Sequence, residues 1–281
     1  MPNQSIPIRA SMLPSYCDCP RRAACKMIPH LLEKAGFIVR QSPPIVAAAI
    51  GTAVHQGESE CMKAKLELGD VCSEAQAVDS AMNDYDENMN TYGSDVQYDQ
   101  KSPDRSTGEK QVIRITQSYY KVVQPQIEPA RIWDPKSPKD KISADIGDGF
   151  VVTGHPDVQT KDKKISDTKT GVVLRPPQAQ LGAYSLVSKS NAVNISGVQS
   201  AYLPRVAISK PQPPPLITVY DLAQCEQEAW SIISRVKADI QRFLENGDPR
   251  AFLANPMSML CSEKFCQGFG IKGYCEFRAK A

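Results

Sequence analysis

Residues 151–171 read VVTGHPDVQTKDKKISDTKTG. Two β-like runs flank a short charged turn at 161–163, the pattern of a hairpin. Such a hairpin sets Asp157 and Asp167 side by side at one end of a sheet. Side chains two apart on a strand share a face, so Lys169 points the same way as Asp167. Hard divalent cations such as Mg²⁺ or Mn²⁺ take carboxylate oxygens and keep several waters. Two carboxylates with an ammonium beside them therefore make a hydrolytic site for a phosphodiester. The ordinary reading is two turn aspartates and a solvated lysine, because Asp and Lys are common near turns. D-x-K alone does not decide between them.

Outward from this hairpin, the chain divides by pattern. Residues 10–28 are helix-prone and interrupted by Pro14 and Pro20, and helical patterns follow at 46–68 and 74–90. Residues 93–108 are polar and read as a loop, with helix resuming over 109–123. Strand-like runs come at 130–133, 149–160 and 164–170, then a helix at 178–188 opened by Pro176-Pro177. Strands at 195–203 and 216–220 are joined across SKPQPPP (209–215), a stiff connection, and an amphipathic helix covers 222–245. This order predicts an α/β fold, a mixed central sheet with helices packed on it and a helical cap at the N-terminal side. The expected divisions are a helical region 1–125, a core 126–250 and a cysteine-rich tail 251–281.

The 281 residues carry 41% hydrophobic side chains and a net charge of +2. That is enough apolar matter for a real core, and a charge that neither demands nor excludes a nucleic-acid partner. No run approaches the roughly 18 to 20 apolar residues of a membrane span. MPNQSIPIRASML, at 1–13, lacks the charged start and apolar block of a secretory signal, so a soluble, cytoplasmic protein is expected. There is no internal repeat and no G-x-x-x-x-G-K-[ST], hence no P-loop ATPase.

Two further stretches bear on the acidic pair. His55 lies in AAAIGTAVHQGESE (47–60), a helical segment whose small residues permit close packing. A lone helical histidine is more often packed or solvated than a ligand. Gln180 and Tyr184, in QAQLGAYSLV (178–187), are four apart and share a helix face, as in any amphipathic helix. Taken in order, however, Gly51-x-x-x-His55, Pro156-Asp157, Asp167-x-Lys169 and Gln180-x-x-x-Tyr184 resemble the RecB-like branch of the PD-(D/E)XK nucleases. The resemblance implies a restriction-endonuclease-like core. It further implies that His55, Asp157, Asp167 and the Thr168 carbonyl hold the metal, that Lys169 positions or activates water, and that Gln180 and Tyr184 line the DNA path.

Nine cysteines, an odd number without an export signal, argue for metal binding or free thiols over a disulfide framework. Cys61, Cys72 and Cys225 are isolated and suit small apolar packing. Cys261, Cys266 and Cys275 cluster in NPMSMLCSEKFCQGFGIKGYCEF (255–277), and SYCDCPRRAAC (15–25) supplies Cys17, Cys19 and Cys25. Thiolates suit Zn²⁺ or iron–sulfur clusters. This spacing is similar to that of RecB-like nucleases of the AddB type and those associated with CRISPR adaptation, which place one cysteine before the core and three after it. The likeness implies a [4Fe–4S] cluster on Cys19, Cys261, Cys266 and Cys275 that staples the two ends. Cys17 and Cys25 stay open as substitutes for Cys19, and the eight residues between Cys266 and Cys275 leave a Cys₄ Zn²⁺ site as the alternative.

The expected activity is a Mg²⁺- or Mn²⁺-dependent deoxyribonuclease, an exonuclease on single-stranded DNA or DNA ends in recombination or repair. Its expected partners are DNA and no membrane, with a homo-oligomer or a recombination protein left open. The rivals are a non-catalytic DNA-binding or scaffold protein of the same fold and a zinc-stapled structural protein in which D-x-K is coincidental. A site-specific endonuclease has no sequence-reading element to support it.

Overall fold

In the computed structural model, which describes residues 5–134 and 137–276, Pro156 divides what the pattern presents as one strand over 149–160. Proline donates no ladder hydrogen bond. β4 (Phe150–Gly154) ends before it and β5 (Val158–Thr160) begins after it, in a different sheet. The expected single sheet is therefore two. β1 (Ile6–Arg9) pairs parallel with β4, and β3 (Ile142–Asp145) pairs antiparallel with β4's other edge. The pattern had signalled neither β1 nor β3, each only four residues long.

The larger sheet runs β2-β5-β6-β7-β8, with β2 at Pro129–Ile132, β6 at Lys164–Gly171, β7 at Gly197–Pro204 and β8 at Leu216–Tyr220. β5 and β6 form the expected antiparallel hairpin, while β6 and β7 are parallel and joined through a crossover helix, here called α7.

Helices α1 (Leu13–Asp18), α2 (Pro20–Met27) and α3 (Pro29–Lys34) each carry a proline in the first turn. Pro14 and Pro20 thus start helices instead of interrupting one, because a first-turn N–H has no intrahelical partner to lose. α4 spans Val46–Leu68 and α5 Glu74–Tyr92, the latter opened by a capping box between Ser73 and Gln76. α6 (Arg105–Ser118) starts earlier than the pattern indicated, because the Asp104 side chain accepts from the Thr107 N–H and caps it. The segment 105–108 is therefore helix, not loop. α7 is Gln178–Ser190 and α8 is Leu222–Asn246.

Two apolar cores result. One joins α1–α3, β1, β4, α7 and α8 with Phe252 and Tyr274 of the tail; the other packs α4–α6 against Val158, Ala201 and Leu203 of the larger sheet. Residues 6–34 thus share a core with α7, α8 and the tail, whereas α4–α6 form their own layer. Tyr16 of α1 donates to buried Asp239 of α8 at 2.5 Å, a polar tie inside the first core. Among the described residues no helix is long and apolar enough to cross a membrane.

The α7–α8 contact is the tightest constraint on the first core. A Cβ on Gly182 would lie 1.9 Å from the Cys225 carbonyl oxygen, so only glycine fits there. Gly182→Ala is expected to cost about 3 kcal/mol by overpacking. A thermal melt should fall by several degrees, and an unchanged melting temperature would show that the two helices separate without penalty.

Candidate active site and cysteine cavity

Asp157 stands immediately before β5, released from the ladder by Pro156. Pairing between β5 and β6 stops at Val158↔Ser166. Past that point the Thr168 N–H of β6 donates to the Asp157 carboxylate, Oδ2, at 2.7 Å. The Asp157 carbonyl accepts from the Trp133 N–H at 3.1 Å, which fixes its backbone to the residue after β2. Both ends of Asp157 are thus held by main chain.

Across from it runs α4. A Cβ on Gly51 would come within 3.0 Å of the Thr170 hydroxyl, so the glycine lets this helix lie close against the end of β6. One turn on, His55 Nδ1 lies 3.4 Å from Asp157 Oδ2 and 3.5 Å from Glu58 Oε2. Residues three apart on a helix share a face. His55, Glu58 and Asp157 are the one group of three or more potential ligands among the described residues whose donor atoms all lie within 4.8 Å of one another. Glu58 had not been singled out from the sequence, although the one-turn spacing His-x-x-Glu was legible in 47–60. It is 4% exposed, and no hydrogen bond satisfies its Oε2.

Asp167 is 1% exposed and pairs with Lys169 Nζ at 2.5 Å, on the shared strand face. Thr168 sits between them, also buried. Gln180 donates to the Tyr184 hydroxyl at 2.7 Å, and both side chains are buried. His55 and Asp157 are therefore together, Asp167 is turned to Lys169, and Gln180 and Tyr184 are tied to one another.

The electrostatics follow from burial. Desolvation pushes the Asp167 carboxyl up to about 6, against the pull of Lys169 and with a further push from Asp157. Burial raises Asp157 too, opposed by His55. Burial alone would lower His55, but the Asp157 and Glu58 carboxylates outweigh it and bring the imidazole up to about 9. Lys169 is likewise lowered by burial and raised more by Asp167 and Asp157, so it stays cationic. The site concentrates negative charge that two cationic side chains only partly offset.

Cys19, Cys261, Cys266 and Cys275 line one cavity with Arg21, Arg22 and Tyr274. Cys19 Sγ accepts from the Asn255 N–H at 3.4 Å. Cys25 is 1% exposed and outside that lining, its thiol donating to the Tyr274 hydroxyl at 3.4 Å. Cys17 is exposed and faces a neighbouring groove. Of the isolated three, Cys61 and Cys72 lie with sulfurs 3.6 Å apart in the second core, and Cys225 is buried in the first.

No protein-family model matches the chain, and no curated protein matches it either. Among solved structures, one from Eubacterium rectale described as a candidate exonuclease superposes on 92% of this chain and 87% of that one. The TM-score is 0.54 at 9% identity, a likeness of fold alone. The structure of SSO0001 aligns with 74% of this chain and 86% of that one at 11% identity, but its TM-score of 0.25 carries no argument.

Isothermal titration with Mn²⁺ examines the His55–Glu58–Asp157 trio directly. Glu58→Gln and Asp157→Asn should each weaken binding at least about tenfold, as loss of a donor does when the remaining set is unchanged. Wild-type affinity in Glu58→Gln would remove Glu58 from the ligand set.

Proposed function

We propose that this chain is a metal-dependent DNA nuclease of the RecB-like PD-(D/E)XK class that acts on single strands or ends as an exonuclease. The observation that carries the reading is the convergence of His55, Glu58, Asp157, Asp167 and Lys169 from α4, the β5 edge and β6. The donor set fits a divalent cation: one imidazole nitrogen and carboxylate oxygens, one of them buried without a hydrogen bond. His55, Glu58 and Asp157 would hold it, with Asp167 and the Thr168 carbonyl beside them. Bound there, Mg²⁺ or Mn²⁺ would supply Lewis acidity and a water activated at neutral pH.

The protein's own groups do the rest. Lys169 keeps its proton and would present a fixed positive charge where negative charge develops on the phosphoryl oxygens, the kind of preorganised stabilisation that is worth most in a water-poor site. Asp167 holds that ammonium in place at 2.5 Å. Asp157, pinned by Thr168 and Trp133, keeps its carboxylate aimed at His55. The fold shared with the candidate exonuclease agrees with this reading.

The same reading assigns a [4Fe–4S] cluster to Cys19, Cys261, Cys266 and Cys275. In a tetrahedral zinc site with Zn–S of about 2.3 Å the sulfurs lie about 3.8 Å apart. No three cysteine sulfurs among the described residues come within 4.8 Å of one another, although all four side chains border one cavity. Four thiols around one cavity can serve either an iron–sulfur cluster or a Cys₄ zinc site. Anaerobically purified protein should contain iron and inorganic sulfide in equal amounts with visible charge-transfer absorption. Stoichiometric zinc without iron would replace the cluster by the Cys₄ alternative.

Cleavage of end-labelled DNA tests the activity. Wild type with Mn²⁺ or Mg²⁺ should shorten single strands from an end, and Lys169→Ala should lose about 10²–10³-fold in rate. Equal cleavage by both proteins would mean that this is not the active site. An inactive but well-folded, metal-binding wild type would favour the scaffold alternative.

A further inference from the structure

The cavity bordered by the four cysteines has a cationic wall that the thiols alone do not account for. Arg21 and Arg22 line it, and the described residues around it include no carboxylate. Both arginines sit in the first turn of α2, directly after Cys19 and Pro20, and they are 7% and 6% exposed. Burying two guanidiniums is expensive unless each finds partners.

Arg21 finds them in the main chain. Its Nε donates to the Phe252 carbonyl and its Nη1 to the Tyr274 carbonyl, each at 3.1 Å, so it fastens the tail to α2. Arg22 is only half engaged. Its Nη2 pairs with Asp18 at 2.6 Å, and Asp18 borders the adjoining groove, not the cavity. Its Nη1 is buried with no hydrogen-bond partner. A buried donor without an acceptor is costly, and a charged one more so. Arg22 also lies close enough to act on Cys266: burial pushes that thiol up, and Arg22 is among the groups that oppose the push.

We propose that Arg22 is the counter-cation of the metal centre held by Cys19, Cys261, Cys266 and Cys275, with Nη1 as the hydrogen-bond donor to a metal-bound sulfur. The inference rests on the metal reading of that cavity and adds a positioning residue to it. Four thiolates outweigh the charge of Zn²⁺ or of an oxidised [4Fe–4S] core, so either centre is a buried anion. A buried anion needs a counter-charge. Both arginines supply positive charge, and Arg22 is the one with an N–H still to donate. Hydrogen bonds to metal-bound sulfur and the charge around it set the affinity and reduction potential of such centres.

The test is metal loss to a chelator, read on anaerobically purified protein whose iron, sulfide and zinc have first been measured. Arg22→Gln should lose its metal at least about tenfold faster than wild type. Arg22→Lys, which keeps the charge, should recover most of that difference. Asp18→Asn removes the ion pair and leaves the Arg22 charge in place, so it should lose metal no faster than wild type. If the metal is an iron–sulfur cluster, Arg22→Gln should also make its reduction about tenfold less favourable, a potential about 59 mV more negative for one electron.

Equal rates in Arg22→Gln and wild type overturn the proposal. Metal loss in Asp18→Asn as fast as in Arg22→Gln also overturns it, because Arg22 would then act only through its ion pair. That comparison stands even if Arg22→Gln does not fold, since accelerated loss in Asp18→Asn alone contradicts the charge argument. A wild type with neither iron nor zinc defeats the metal reading itself, and the analysis that precedes the chelator assay tells this failure from the others.

Discussion

One carboxylate oxygen organises this molecule. Oδ2 of Asp157 accepts the Thr168 N–H at 2.7 Å and faces His55 at 3.4 Å, so it joins the edge of β5, the middle of β6 and the face of α4. The contact exists because β5 is only three residues long and stops pairing before Thr168. A longer β5 would have given that N–H a carbonyl and left Asp157 without its anchor. The proline before Asp157 enforces the short strand. Structure and chemistry thus share one cause, a ladder cut short so that a side chain completes it.

The cost of that arrangement is charge. Asp167 and Glu58 are almost fully buried and Asp157 is partly so, and isolated carboxylates pay heavily for leaving water. Lys169 and protonated His55 offset part of this. Burial is the main reason that Asp167 sits at about 6 rather than in the ordinary carboxylate range, with a further push from Asp157. A divalent cation would relieve the remaining excess, and its binding would then be coupled to loss of the imidazole proton. The site is tense in its own right, and the tension is in the direction that favours a cation.

Much of the site was readable from the sequence because its spacings are local. Asp167 and Lys169 meet through strand alternation, Gln180 and Tyr184 through helical periodicity, and the turn at 161–163 does join two paired strands. What stayed hidden depends on distant partners or on single residues that override a pattern. β1 and β3 are four-residue strands that exist only because β4 lies between them, so no periodicity could announce them. Pro156 split one apparent strand between two sheets. Asp104 began α6 within a stretch whose Ser, Thr and Gly looked like loop. Glu58 was overlooked beside a conspicuous histidine, although its one-turn spacing was there to be read. The four cysteines could be grouped by chemistry, but that residues 19 and 261–275 border one cavity is a property of the first core, where Arg21 of α2 donates to the Phe252 and Tyr274 carbonyls at 3.1 Å.

We propose that the point where α4, β5 and β6 meet is a divalent-metal site. Anomalous diffraction from a Mn²⁺-soaked crystal tests it most directly. A peak is expected within coordinating distance of His55, Glu58 and Asp157, beside Asp167. A peak elsewhere, or none there with the crystal saturated in Mn²⁺, would contradict it.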